Sequence, residues 1–368
     1  DGKKSLTFSQ RDKLMNPEVE CFYADDVITF AREKGWYKGK DNDFSFSDVY
    51  GPVDFSGARF SEARVFAGFN KVSKEIHKYV DYAMGKIQFG GENNFPVNRM
   101  PLWIKPDHKL TVKDVMGMMR DHYQGTPMDM TKDPGAGPFQ LPYRWRGLTW
   151  KVDGVTYLNE RAISTQQTGF SFVAQSRSWL PDPIGGVFWF GVDDSNSSCY
   201  VPMYCGITEV PECFRVGNGD LLTYSETSAF WAFTQVSNFA YLRYSDMIKD
   251  IHKVQSACED KFFNFVPVVD KAALSLLQNS DPSMARKFLT EYSVNEANET
   301  TKKWKQLYQY LLVKYMDGNI KKEENGQFKR NEYGLPAMPN QPGYPEWWLR
   351  IIANSTGDLL KVPAGGGH

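Results

Sequence analysis

The run Gly186 to Val192 (GVFWFGV) carries apolar residues at successive positions. An extended chain turns successive side chains to opposite faces, so this strand has no face to give to water and must be covered twice. Thr168 to Arg177 (TGFSFVAQSR) places Phe170, Phe172 and Ala174 on one side of a second strand, and Cys199 to Cys205 is a third short run. Strands of this kind predict a layered α+β core with sheet inside, not a half-wet antiparallel sheet. The chain is long enough for such a core: 368 residues, 41% hydrophobic and 24% charged, a globular composition. Its 25 Phe, 19 Tyr and 10 Trp predict a broad interior with aromatic-lined clefts.

Helical patterns flank the strands. Asp25 to Lys34 (DDVITFAREK) runs from acidic to basic, as the helix dipole favours, and Gly35 stops it. Asp41 to Arg64 reads as surface loops with a Gly51-Pro52 turn. Thr111 to Arg120 aligns Val112, Val115, Met116 and Met119, so RDHYQGTP (Arg120 to Pro127) sits where a helix ends. Thr223 and Glu226 have capping-box spacing ahead of an aromatic helix through Trp231, Phe233, Phe239 and Tyr241. A helix begins at Asp250 and is interrupted at Pro267. Asp281-Pro282 has the chemistry of a fresh start, and a long helix from about Asn295 ends at Gly318. The resulting division is a core over 1–245 and a helical C-terminal region over 246–368 packed on it, with no repeat or linker separating independent domains.

Several function classes fall away. Lys+Arg 43 against Asp+Glu 44 lacks the basic excess that dominates nucleic-acid affinity, and no apolar stretch approaches the ~20 residues of a membrane span. Serine-hydrolase, zincin and P-loop motifs are missing, and Gly217-Asn218-Gly219-Asp220 lacks the third glycine of a dinucleotide fingerprint. The five His have no metal-ligand spacing, so no metal or other cofactor is expected. The five Cys leave at least one free thiol; buried thiols in strands fit Cys199, Cys205 and Cys213 best, with a disulfide among them left open. Sequons at Asn196, Asn298 and Asn354 carry little weight alone.

Four polar clusters remain. Arg120 to Pro127 groups an acid, a base and a phenol at a helix end, where they serve either as caps or as cleft-lining groups. Arg177 leaves a strand, free to hold a carboxylate or to pair with Asp182. Asp193-Asp194 follows a buried strand and suits either a substrate ammonium, a calcium ion or plain solvation. Asn218 offers an oxyanion donor or, more simply, a turn.

Longer runs are more specific. RDHYQGTPMDMT (Arg120 to Thr131), TGFSFVAQSRSWLPDPIGGVFWFGVDD (Thr168 to Asp194), YVPMYCGITEVPECFRVGNGD (Tyr200 to Asp220) and SAFWAFTQVSNFAYLRYSDM (Ser228 to Met247) resemble, in order, the dipeptidase A family of cysteine peptidases. FAREKG, FSFSDVYGPVDFSGARFSEARV, VKYMDGN and QPGYPEWW extend the resemblance over nearly the whole chain.

The resemblance implies the four-layer αββα core of the N-terminal-nucleophile hydrolases. There the first residue of the mature chain attacks the peptide carbonyl, its own α-amine acts as base, and no histidine is needed. Asp1 supplies no nucleophile and Cys21 is internal, so the expectation is that the cysteine and first strands lie upstream and that this chain is the C-terminal larger part. Arg120, Asp121, His122, Arg177, Asp193 and Asn238 are then expected to line the cleft opposite it. The implied function is a bacterial dipeptidase acting on short unblocked peptides. The alternatives are an amidase of N-acyl amino acids or conjugated bile acids, and a non-catalytic binding protein on a degenerate peptidase fold. A secreted or periplasmic location is favoured over a cytoplasmic one, and a homo-oligomer is allowed.

Overall fold

The computed structural model describes residues 24, 26–145, 147–279 and 281–364. Cys21, Asp25 and the end of the glycine-rich tail lie outside the described residues. The chain forms two compact units, one running to Leu110 and joined by Leu148–Ala162, the other comprising Thr111–Gly147 and the remainder from Ile163.

In the smaller unit a helix over Val27–Glu33 buries Ile28 and Ala31 against Tyr37, Phe44 and Val49. Gly35 follows it at φ 72°, a left-handed stop that a Cβ would strain. Arg99 ties the unit together, donating to Asp48 at 2.7 Å and pairing with Glu62. An Asp153-Gly154 turn closes the hairpin of Thr149–Val152 with Val155–Leu158, on which Trp150 stacks against Tyr157.

The larger unit contains a three-stranded antiparallel sheet, β1 (Phe170–Ser176), β2 (Gly186–Val192) and β3 (Val201–Tyr204), in that order. Four helices accompany it: α1 (Val112–Met119), α2 (Ala229–Ala240), α3 (Tyr244–Asn279) and α4 (Pro282–Tyr315). The register pairs Phe170 with Val192 and Ser176 with Gly186, placing Arg177 and Asp193 at opposite ends of the β1–β2 ladder. Val173, Val187 and Trp189 point into the main core with Phe233, Phe262, Leu289 and Trp304 from the helices. Trp189 packs on Phe263 of α3 at 5.0 Å between centroids.

Mixed helix and sheet agrees with the α+β expectation, but the sheet is not covered twice among the described residues. Phe170, Phe172 and Ala174 do share a face, and it is the face turned away from the helices. Phe170 is 61% exposed and Phe172 45%. These rings instead meet their cross-strand neighbours, Phe172 on Phe188 at 4.5 Å and Phe170 on Phe190 at 6.0 Å.

Helix boundaries also differ from the pattern reading. Thr111 and Asp114 form a full capping box on α1. Thr223 and Glu226 do not: α2 begins after Ser228, the Thr223 carbonyl accepts from Trp231 Nε1, and Glu226 pairs with Lys305. α3 starts at Tyr244 and continues through Pro267, because Phe262, Val266, Val269 and Ala273 around the missing N–H are anchored in the core. The 245/246 division therefore falls inside α3. Asp281 caps α4 by accepting from Ser283 N–H, with Pro282 at the first position, so this helix begins well before Asn295. It ends at Tyr315 ahead of a turn with Asp317 and Gly318 at positive φ. Of the clustered cysteines, Cys199 and Cys213 are buried and Cys205, just past β3, is exposed.

Arg177 is a bolt between sheet and helix. Its guanidinium donates to the Ile184 carbonyl at 2.5 Å and to Asp270 of α3 at 2.5 Å, not to Asp182, and Tyr204 of β3 donates to the same carboxylate at 2.7 Å. All three side chains are almost fully buried, so Arg177→Ala strands a carboxylate in the core. It is expected to cost about 3–5 kcal/mol in urea unfolding, with Arg177→Lys losing less.

Candidate functional site

Beyond Val192 the chain turns through Asp193 at φ 64°, a conformation aspartate tolerates better than most residues, and enters a polar run that is buried from Asp193 to Ser198. Asp193 N–H donates to Gly169 O at 3.0 Å, extending the β1–β2 ladder by one bond. Its carboxylate accepts from Ser237 Oγ at 2.6 Å and Thr234 Oγ1 at 3.2 Å, two hydroxyls three positions apart on one face of α2. Asn238, next on that helix, is exposed and donates back to the Thr234 carbonyl. Asp194 accepts from Tyr143 OH at 2.5 Å, Ser164 Oγ at 3.0 Å and the Asn196 N–H at 3.0 Å.

The backbone of this run is held by side chains from three helices. Arg120, just past α1, donates to Ser195 O at 3.0 Å, pairs with Glu259 of α3 at 2.5 Å and lies over the Tyr200 ring. Gln255 of α3 donates to the carbonyls of Asn196 at 3.1 Å and Ser198 at 2.6 Å. His252 Nε2 lies 3.0 Å from the Asn196 carbonyl, which requires the proton on that nitrogen. Trp304 of α4 donates to Ser197 O. Asn196 itself is buried and hydrogen-bonds Tyr244 OH.

The cluster at the end of α1 joins the same network. Asp121 accepts from the Tyr123 N–H at 2.8 Å, and its carbonyl accepts from Ser164 N–H. The His122 ring stands edge-on to Tyr143 at 5.0 Å. Asp193, Asp121, His122 and Arg120 thus converge on one buried polar loop, with Asn238 on its rim. Arg177 does not belong to it, being held at the far end of the sheet by Asp270. The convergence is also not the open cleft expected of these residues: Arg120 is spent on carbonyls and a carboxylate, and Asp121 and His122 are buried.

A cavity of about 400 Å³ opens beside the loop, and Gly169 and Val192, the residues that frame Asp193 in the sheet, form part of its wall. Phe170, Phe190, Phe214 and Trp231 give it an aromatic lining, and Arg215 and Asp220 contribute both signs of charge. Asp220 stays ionised readily because the Leu222 N–H holds its carboxyl below the usual range. Asn218 makes a turn between two glycines at positive φ and accepts from Ser225 Oγ. Among the described residues no trio of His, Cys, Asp or Glu is disposed to hold a metal, and no helix is long and apolar enough to cross a membrane.

Pattern reading passed over Tyr143, Ser164, Gln255, Glu259 and, in the cavity wall, Phe214 and Arg215; Asn218 alone of that wall was weighed as a candidate. One signal was present for the α3 residues: His252, Gln255 and Glu259 recur at helical spacing within the stripe of Ile248, Ile251, Cys258 and Phe262.

Burial, and then the neighbouring Asp194 charge, push the Asp193 carboxyl up to about 7, against the pull of its Ser237 and Thr234 hydrogen bonds. Folded protein thus keeps a proton that the unfolded chain releases near 3.8, and stability falls as pH rises between those values. Asp193→Asn, which imitates the protonated group, is expected to remove this slope. Its stability relative to wild type should improve by roughly 2–4 kcal/mol from acidic to mildly alkaline pH, read by urea unfolding at each pH.

Against known proteins, the sequence pattern of peptidase family C69 matches residues 9–257. A "Probable dipeptidase" of Salmonella dublin is 24% identical over 193 residues, 52% of this chain and 36% of that protein. A "Probable dipeptidase B" of Lactococcus lactis is 23% identical over 181 residues, 48% and 34% respectively. A "Probable dipeptidase" of Latilactobacillus sakei is 28% identical over 116 residues, 32% and 21%. The matched segments thus span about a third or less of these relatives' own length. With the family pattern covering more than half of the chain, and the buried loop and its aromatic cavity inside or beside the matched region, the chain belongs to peptidase family C69, the dipeptidase A family.

Proposed function

We propose that this chain is part of a cysteine dipeptidase that hydrolyses short unblocked peptides. Membership of a peptidase family, over residues 9–257, is the observation that carries the reading. The cavity beside Asp193 supports it: an unblocked dipeptide offers an ammonium, a carboxylate and one or two side chains, and the lining offers Asp220, Arg215 and aromatic walls. The nucleophile in this reading, as the resemblance to the dipeptidase A family implies, is an N-terminal cysteine upstream of Asp1; the five cysteines of this chain, Cys21 among them, are internal and carry no free α-amine. The α-amine takes the thiol proton, the thiolate attacks the peptide carbonyl, the α-ammonium returns that proton to the nitrogen as the C–N bond breaks and the amine product leaves, and water hydrolyses the thioester to the acid and the free thiol.

The same reading extends to the fold. Phe170, Phe172, Phe188 and Phe190 form a ready surface for the second sheet of an αββα core, supplied by upstream strands. Phe172→Asp in the full-length protein is then expected to cost about 3 kcal/mol or more in unfolding, whereas a face left in water would lose less than about 0.5 kcal/mol.

Activity is tested by turnover of a small dipeptide panel by the full-length protein and its N-terminal Cys→Ala variant. The expected result is cleavage of free dipeptides, none of N-acylated ones, and loss of turnover in the variant. Cleavage of acylated substrates alone would point instead to the amidase alternative. Arg215→Ala is expected to raise KM by about tenfold with kcat little changed, as fits a group binding substrate equally throughout the reaction.

A further inference from the structure

A second cavity, of about 600 Å³, lies among the helices of the larger unit, and the proposed reaction makes no use of it. Phe239 of α2, Met247 of α3 and Leu312 of α4 wall it together with Phe139, Leu242 and Tyr344, and its volume is that of a small-molecule site. It is separate from the cavity beside Asp193. Phe230 and Trp231 at the start of α2 line that one, and Phe239 stands roughly 13 Å further along the helix at 1.5 Å per residue.

Two charged side chains interrupt the apolar wall, Arg243 and Asp317. Arg243 is only 6% exposed and is held by three contacts: Nε donates to Asp246 at 2.6 Å, Nη1 donates to the Gly318 carbonyl at 2.7 Å, and the guanidinium lies over the Phe139 ring at 4.7 Å. Its remaining nitrogen, Nη2, has no hydrogen-bond partner among the described residues. Asp246 does not cancel the guanidinium charge outright, because its other oxygen faces Lys249 Nζ at 3.9 Å. Asp317 is exposed, and its carboxylate has neither an ion pair nor a hydrogen bond among the described residues. The bond from Arg243 to Gly318, the next residue in the chain, brings the two charges to one part of the wall. A simple carboxylate would match Arg243 but meet the like charge of Asp317, and a simple amine would do the reverse. A free α-amino acid carries both charges on one carbon and answers both, while a large apolar side chain suits the rest of the lining.

We propose that this cavity binds a free α-amino acid with a large apolar side chain, its carboxylate on Arg243 Nη2, its ammonium on Asp317 and its side chain against the aromatic and aliphatic wall. The inference stands on this cavity alone and does not require the proposed hydrolysis.

The test is calorimetric titration of the full-length protein with L-phenylalanine. One molecule is expected to bind per chain with a Kd of about 1 mM or tighter. N-acetyl-L-phenylalanine, which lacks the ammonium, and phenethylamine, which lacks the carboxylate, are each expected to bind at least about tenfold more weakly. Asp317→Asn removes the charge and keeps a residue that accepts the positive φ of 59° found there; it is expected to weaken L-phenylalanine about tenfold. Leu312→Trp, which fills the cavity from α4, is expected to abolish binding, and Arg215→Ala, in the other cavity, to leave it unchanged. The proposal is overturned if L-phenylalanine fails to bind at about 10 mM, if either blocked probe binds as tightly, or if binding is lost with Arg215→Ala and kept with Asp317→Asn. The comparison of probes uses unaltered protein, so its outcome does not depend on whether a variant folds.

Discussion

Burying a polar loop requires a partner for each of its backbone groups, and the larger unit is organised around meeting that requirement for residues 193–200. Carbonyls that no strand or helix satisfies are taken by Arg120, Gln255, His252 and Trp304, contributed from the end of α1, from α3 and from α4. Removing Arg120 or Trp304 takes the side-chain donor from the Ser195 or Ser197 carbonyl, while the Asn196 carbonyl is shared by His252 and Gln255, so these helices are held in register by the loop as much as the loop is held by them. Glu259 makes the arrangement possible: it neutralises Arg120 and accepts from Tyr200, which lets a guanidinium sit in the interior.

The sheet treats its two sides in opposite ways. One face disappears under helices through Trp189, Val187 and Val173; the other displays a ladder of phenylalanines whose contacts are mostly with each other. Cross-strand ring pairs stabilise the strands locally but leave much apolar area in contact with water. The aromatic cavity begins where this ladder meets the turn at Asn218, so the same rings that wall the cavity also continue into the open face. In the function proposed above, substrate binding and completion of the core would draw on one continuous surface.

How far the sequence spoke depended on range. Local rules held where a local interaction decides: the helical face of Val112, Val115, Met116 and Met119, the Asp281-Pro282 start, the Gly35 stop and the strands with their shared Phe170–Phe172 face. Pro267 misled because a helix interior is judged locally by its missing N–H, whereas here side chains on the turns either side are buried and hold it. Arg177 misled for a related reason: its partner, Asp270, is 93 residues away and no pattern links them. Arg120, Asp121, His122 and Asp193 were legible as polar residues out of place in an aromatic sequence. That they serve a buried loop and leave the adjoining cavity to Arg215 and Asp220 depends on tertiary geometry.

Asn196 stands in an Asn-Ser-Ser sequon, yet its side chain is buried and hydrogen-bonded to Tyr244 OH. Glycosyltransfer in a eukaryotic secretory pathway acts on the chain before it has folded, and a glycan fixed there could not pass into the interior. The asparagine that completes the loop is thus an obstacle to making this protein in a glycosylating host. Hosts without asparagine-linked glycosylation, or a neighbour change at Ser198 that abolishes the sequon while sparing the amide, suit its folding.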